Sequence, residues 1–137
     1  MQVSEVMSTN VKIASPDDTL QRIAQSMAEL DAGVMPVGAN DRLIGMITDR
    51  DIVIRAVSRG LSPESTTVRE VMSVEVHFCY ADDDVDEVAQ NMADWRVRRL
   101  PVLDLDKRLV GIVSLGDISR DTSPGSSGAA LRDISAR

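Results

Sequence analysis

The chain has 137 residues, 43% of them hydrophobic, and a formal net charge of −7. That length supports one compact domain or two small halves sharing a core, because a half of about 60 residues is marginal alone. The acidic balance excludes a broad nucleic-acid surface, which needs clustered Lys and Arg against phosphate. No apolar run approaches the roughly 20 residues of a membrane-spanning helix.

The opening Met1-Gln2-Val3-Ser4-Glu5 lacks a basic stretch followed by an apolar one, so no signal peptide is expected. Cys79 is the only cysteine, which rules out an internal disulfide and fits a reducing, cytoplasmic setting. His77 and Cys79 share a strand face, but no further His or Cys completes a three- or four-ligand set, so no metal site is expected.

In chain order, an apolar strand is predicted near Val11 to Ala14. Ser15-Pro16-Asp17-Asp18 predicts a helix start, with Ser15 as N-cap and Pro16 in the first turn. Leu20, Ile23, Ala24 and Met27 then recur at helical spacing and form one apolar stripe. Val34 to Val37 and Leu43 to Ile47, joined by the polar turn Gly38 to Arg42, read as a hairpin. A helix follows from Thr48 to about Arg59, with Gly60 as its C-terminal stop. Its apolar residues, Ile52, Val53, Ile54, Ala56 and Val57, lie on more than one face and call for a second covering surface. Residues 61–66 read as a linker.

The same series then repeats. Val3-Ser4-Glu5-Val6-Met7-Ser8 matches Val68-Arg69-Glu70-Val71-Met72-Ser73 at an offset of 65. The register holds through Pro36-Val37 on Pro101-Val102. After one inserted residue it continues at 66, with Gly45 on Gly111 and Asp51-Ile52 on Asp117-Ile118. Self-similarity kept in register over most of two segments marks a duplication. The expected architecture is α/β (α+β), with the order β-α-β-β-α twice: residues 1–60, the linker 61–66, and residues 67–121. Residues 122–137, which include Thr-Ser-Pro-Gly-Ser-Ser-Gly, are expected to be a flexible tail.

The motif Val-x-Glu-Val-Met-Ser, the Pro-Val strand, and the paired segments Gly45-Met46-Ile47-Thr48-Asp49-Arg50-Asp51 and Gly111-Ile112-Val113-Ser114-Leu115-Gly116-Asp117 together resemble the CBS (cystathionine-β-synthase) domain family. The resemblance covers residues 2 to about 120. It implies a tandem pair, or Bateman module, with two repeats related by pseudo-two-fold symmetry and packed sheet to sheet, usually assembled as a homodimer. It further implies binding of AMP, ADP, ATP, S-adenosylmethionine or NAD(H) as a regulatory ligand in the cleft between repeats, with no cofactor required. Signalling to an unidentified effector protein would follow.

The residues suit that chemistry. A carboxylate accepts from two adjacent ribose hydroxyls, and Asp51 and Asp117 each sit three residues after a hydroxyl residue at a helix start. Thr48 and Ser114 are able to donate to the same ligand, and backbone N–H groups at a helix start favour an anion. The same spacing also describes an ordinary capping box, and both roles are compatible.

The resemblance places Arg98 and Arg99 where basic residues meet phosphate, whereas the first repeat has Gly33 and Val34 there. The alternative is that these arginines pair with surface carboxylates. Arg50 serves either the first repeat's site or solvent. In the family, a polar residue on the first strand often touches the ligand; here those positions hold Ile13 and Phe78. Ile13, Ala14, Met35 and Ile47 form either an apolar slot for an adenine ring or plain core.

No phosphate-binding loop, nucleophile elbow or activated Cys–His pair is present, so no catalytic residue and no enzymatic activity are expected. The alternative function is a ligand-independent dimerisation and protein-interaction module.

Overall fold

The computed structural model describes residues 1–121, so the tail expected at 122–137 lies outside the described residues. The elements, in order, are α1 (Leu20–Leu30), β1 (Val34–Ala39), β2 (Arg42–Thr48), α2 (Asp49–Arg55), α3 (Val68–Val71), β3 (Cys79–Tyr80), α4 (Val85–Trp95), β4 (Arg99–Leu103), β5 (Leu109–Ser114) and α5 (Leu115–Asp121). Helices alternate with small sheets in a mixed α and β fold.

The chain forms two compact units. A middle unit holds residues 12–76, and a split unit combines residues 1–11 with the chain from 77 onward. In the middle unit β1 and β2 pair antiparallel, with Val34 opposite Thr48 and Met35 opposite Ile47. The apolar stripe of α1 closes over this hairpin, and Leu20, Ile23, Met27, Met35, Val37 and Ile47 form its core. In the split unit β4 lies between β5 (antiparallel) and β3 (parallel), and α4 buries Val85, Val88, Ala89 and Met92 against them.

The first strand of each repeat is shorter than the sequence predicts. In the middle unit it is a single parallel bridge from Ala14 to Val37, and in the split unit it is the two residues of β3. The start of α1 also shifts. Asp18 accepts from the Ser15 N–H at 3.0 Å, and the Ser15 carbonyl accepts from the Asp18 N–H at 3.1 Å, so this stretch closes as a turn. The helix then starts one turn later, with Thr19 accepting from the Arg22 N–H. The carbonyls of Pro63 and Thr66 accept from Gln21 and Leu20, so the predicted linker covers donors at this helix end. The helix after Thr48 breaks at Ala56 into α2 and a 3₁₀ turn, Val57–Arg59, which Gly60 ends at a φ of 71°.

Each Val-x-Glu-Val-Met-Ser segment folds as one capped turn. Glu5 accepts from the Gln2 N–H at 2.6 Å, and Glu70 from the Thr67 N–H at 2.7 Å. The end of each segment runs along a glycine in a strand. Ser8 bridges Ile112 in the split unit, and Ser73 bridges Met46 in the middle unit. A Cβ on Gly111 would lie 2.7 Å from the Ser8 carbonyl oxygen, and one on Gly45 would lie 2.7 Å from that of Ser73. At both glycines the missing side chain makes room for a neighbouring backbone. Each motif packs against the Gly-containing strand of the other sequence repeat, and this is why the compact units do not coincide with the repeats.

Candidate functional site

The backbone builds the same loop pair in both units. In the middle unit, α1 ends at Asp31 in the left-handed region (φ 50°), and the Asp31 N–H donates back to Met27 and Ala28. In the split unit, α4 ends at Arg96 (φ 58°), whose N–H donates to Met92 and Ala93. The chain then passes into a strand: Val34 lies opposite Thr48, and Arg99 opposite Ser114. One further bond ties each loop to the next helix. The Asp49 N–H donates to the Gly33 carbonyl at 2.9 Å, and the Leu115 N–H to that of Arg98 at 3.0 Å. Sequence neighbours of each helix end are thereby held beside the hydroxyl residue that starts the following helix.

At that start the hydroxyl–carboxylate pairs are closed on themselves. Thr48 Oγ1 accepts from the Asp51 N–H at 2.9 Å, and Asp51 Oδ2 accepts from the Thr48 N–H at 3.0 Å. Ser114 Oγ and Asp117 Oδ2 repeat this, each at 3.0 Å. Both pairs are therefore capping boxes. Each uses one oxygen of a carboxylate that has about four acceptor positions, leaving capacity for a ligand. Part of the donor capacity at these helix starts is already used: the capping hydroxyls accept from the Asp51 and Asp117 N–H groups, and the Asp49 and Leu115 N–H groups donate to the Gly33 and Arg98 carbonyls.

The second carboxylate oxygen differs between units. Asp51 Oδ1 lies 3.8 Å from Arg55 Nη1. Arg55 itself donates to the Val71 carbonyl at 3.0 Å and to Ser73 Oγ at 3.2 Å, tying α2 to the segment that runs along Gly45. Asp117 Oδ1 accepts directly from Arg120, whose side chain is 71% exposed and makes no other hydrogen bond or ion pair among the described residues. The Asp117 side chain is only 9% exposed, with Arg120 lying over it.

The remaining predicted residues separate. Arg98 and Arg99 are exposed, and neither has a side-chain hydrogen bond or ion pair among the described residues. Pairing with surface carboxylates, the alternative for these arginines, is thus not seen there. Arg50 is exposed at the start of α2. Ile13 is 44% exposed. Met35, Ala14 and Ile47, weighed as walls of an apolar slot, are at most 2% exposed and pack into the middle unit's core. Met35 is thus a core residue, because the β1–β2 register points it inward beside Ile47. Asp49 and Arg120 were missed by the sequence reading. Aligning the repeats at an offset of 66 pairs Asp49 with Leu115, and that change of charge class was the available signal.

His77 and Cys79 do not cooperate. The His77 ring stacks on Trp95 with centroids 4.1 Å apart. Cys79 is buried, and desolvation followed by the nearby Asp83 charge pushes its thiol up to about 12, so the thiolate that a metal prefers is disfavoured. Among the described residues no group of three or more His, Cys, Asp or Glu is placed to hold a metal. None of the described helices is long and apolar enough to cross a membrane.

The CBS domain family model matches residues 3–58 and 68–122. CBS domain-containing protein YhcV of Bacillus subtilis is 40% identical over 97% of this chain and 94% of its own length. Hypoxic response protein 1 of Mycobacterium tuberculosis is 39% identical over 85% of this chain and 81% of its own. A crystal structure of Hypoxic Response Protein I with two coordinated zinc ions superposes with a TM-score of 0.78, at 38% identity, over 88% of this chain and 98% of that one. The CBS domain pair of protein MJ0100, in complex with 5′-methylthioadenosine and S-adenosyl-L-methionine, gives a TM-score of 0.74 at 28% identity, covering 88% and 94%.

Proposed function

We propose, because this chain belongs to the CBS domain family, that it is a regulatory module which binds an adenosine-type ligand and reports its level to a partner protein. The observation that carries this reading is in the split unit. Two exposed guanidiniums, Arg98 and Arg99, lack partners among the described residues of an acidic chain, and the loop holding them is bonded to the start of α5 beside the Ser114–Asp117 box. Guanidinium suits phosphate by bidentate geometry, and a carboxylate with spare acceptor capacity suits a ribose diol. AMP, ADP, ATP, S-adenosylmethionine and NAD(H) are the ligands to test. The adenosine compounds bound by the MJ0100 domain pair support this class. On this reading Asp51, Thr48, Arg50 and Ile13 serve the middle unit's site, and Arg120 swings off Asp117 when ligand arrives.

The zinc of Hypoxic Response Protein I is not carried over. The buried, protonated Cys79 and the Trp95-stacked His77 do not make a zinc set. The role is regulatory rather than catalytic.

A homodimer is proposed as the working form, with the exposed Val53 (53%), Ile54 (50%) and Val57 (64%) of the α2 region at its seam. The same apolar face favours the second reading, a ligand-independent interaction module.

A thermal-shift panel separates the two. Binding to the folded state alone stabilises it by RT ln(1 + [L]/Kd) and so raises the melting temperature. AMP or ATP at millimolar concentration is expected to raise it, and Arg98→Ala with Arg99→Ala to abolish the rise. A flat response to every adenosine ligand, with a dimer by ultracentrifugation that Val53→Asp and Ile54→Asp dissolve, favours the second reading.

A further inference from the structure

The two loop pairs share their backbone and differ in charge. Where the split unit has Arg96, Arg98 and Arg99, the middle unit has Asp31, Gly33 and Val34. Where the split unit has the buried Leu115, the middle unit has the exposed Asp49, and where it has Gly116, the middle unit has Arg50. The middle unit's loops thus carry two carboxylates and one guanidinium against three guanidiniums in the split unit. The backbone bonds that position these residues are the same in both: Asp49 N–H to Gly33 and Leu115 N–H to Arg98.

Gly33 and Asp49 are coupled. The Asp49 carboxylate lies against Gly33 so closely that a Cβ there would stand 2.8 Å from Oδ2 and 3.1 Å from Cγ. It occupies the space a side chain at 33 would start from. An arginine at 33 therefore requires the Asp49 carboxylate to move aside, whereas in the split unit the residue at that place, Leu115, turns inward and leaves Arg98 room. Asp49 also directly follows Thr48, so its charge sits beside the Thr48–Asp51 box.

We propose that Asp49 sets the ligand class of the middle unit: its carboxylate, lying against Gly33 beside the Thr48–Asp51 box, turns away phosphorylated ligands and leaves that unit to adenosine-type nucleosides without a phosphate. The split unit takes the phosphorylated ones. This rests on the adenosine-ligand reading above and adds a division of labour to it. The mechanism is like-charge repulsion between a carboxylate and a phosphate that share a site, with no cation from position 33 or 34 to offset it. Asp49 is exposed, so solvent and salt weaken the repulsion, and the expected discrimination is modest.

The test is calorimetry with adenosine and with AMP at low ionic strength, on the full chain carrying Arg98→Ala and Arg99→Ala, with and without Asp49→Asn. The arginine changes remove the split unit's phosphate contacts, and Asp49→Asn removes only a charge from an exposed side chain. Adenosine is expected to bind the arginine variant about tenfold more tightly than AMP. Asp49→Asn is expected to bring AMP to within about twofold of adenosine, with adenosine itself unchanged. AMP and adenosine binding equally before the Asp49 change, or an AMP affinity that Asp49→Asn leaves where it was, overturns the proposal. AMP binding to the unmodified chain that the arginine changes abolish, with no adenosine bound by any variant, also overturns it while the adenosine-ligand reading stands. No heat from either compound on any protein, the unmodified chain included, overturns both.

Discussion

The loop Asp31–Val34 and the loop Arg96–Arg99 follow helices of equal length, turn through the same left-handed residue and enter strands paired in the same register. They carry opposite charge. The helices that come after the hairpins diverge as well: α2 is tied through Arg55 to the Val71–Ser73 segment, whereas in α5 the equivalent duty of holding the box carboxylate falls to the exposed Arg120. The duplicated fold keeps its backbone geometry and varies the charged side chains on its loops. Backbone hydrogen bonds and the close glycine contacts cannot change without unfolding a unit, while loop charges cost little stability to change.

Stability measurements break this comparison most strongly where the two units are expected to agree. Gly45→Val and Gly111→Val each drive a side chain into a backbone carbonyl 2.7 Å away, and each is expected to destabilise by about 3 kcal/mol in urea denaturation, the scale of severe overpacking. Tolerance at either position would mean that its motif segment is not seated on the strand. Ile23→Val and Val88→Ala, in the cores of the two units, should each cost about 1–2 kcal/mol by the same assay.

The units are expected to part company at their arginines. Arg55→Ala removes bonds to a carbonyl and a hydroxyl and should cost about 1–2 kcal/mol. Arg120→Ala removes one ion pair of a largely exposed side chain and should cost less than about 0.5 kcal/mol. Equal costs would erase the asymmetry between α2 and α5.

A last effect is absent at neutral pH and appears only in alkali. Cys79 holds its proton up to about 12 in the folded chain, against roughly 8.5 when exposed. The unfolded state therefore loses this proton first as pH rises. The stability from this group is fully present below the unfolded value and declines between about pH 8.5 and 12. Urea midpoints across that window should fall less in Cys79→Ala than in the unmodified chain, once each is referred to its value at pH 7.

The duplication made most of this legible. Periodicity located α1, α4 and both hairpins, and the register of the repeat located the capping boxes, Thr48–Asp51 and Ser114–Asp117. The helix start at Ser15 was misplaced because Asp18 closes a turn on Ser15, a side-chain choice that a capping pattern alone does not distinguish. Met35 read equally as slot wall or as core, and the hairpin register, which turns it inward beside Ile47, is what separates the two. The exchange of the Val-x-Glu-Val-Met-Ser segments between repeats was hidden because a repeat pattern shows similarity and not which copy packs on which. The glycines at 45 and 111 were its trace, since each needs room for a neighbouring backbone. Asp49 was not legible because its position in the motif is a variable one between the hydroxyl residue and the box carboxylate, and only the fold brings it against Gly33.

Nuclear magnetic resonance titration of the unmodified chain with AMP tests the central claim most directly. The backbone amides of Arg98, Arg99, Ser114 and Leu115 are expected to shift at the lowest AMP concentrations, while those of Gly33, Val34, Thr48 and Asp49 stay in place until AMP is about tenfold higher. Shifts that begin at Thr48 and Asp49, or that progress equally in both sets, would contradict it.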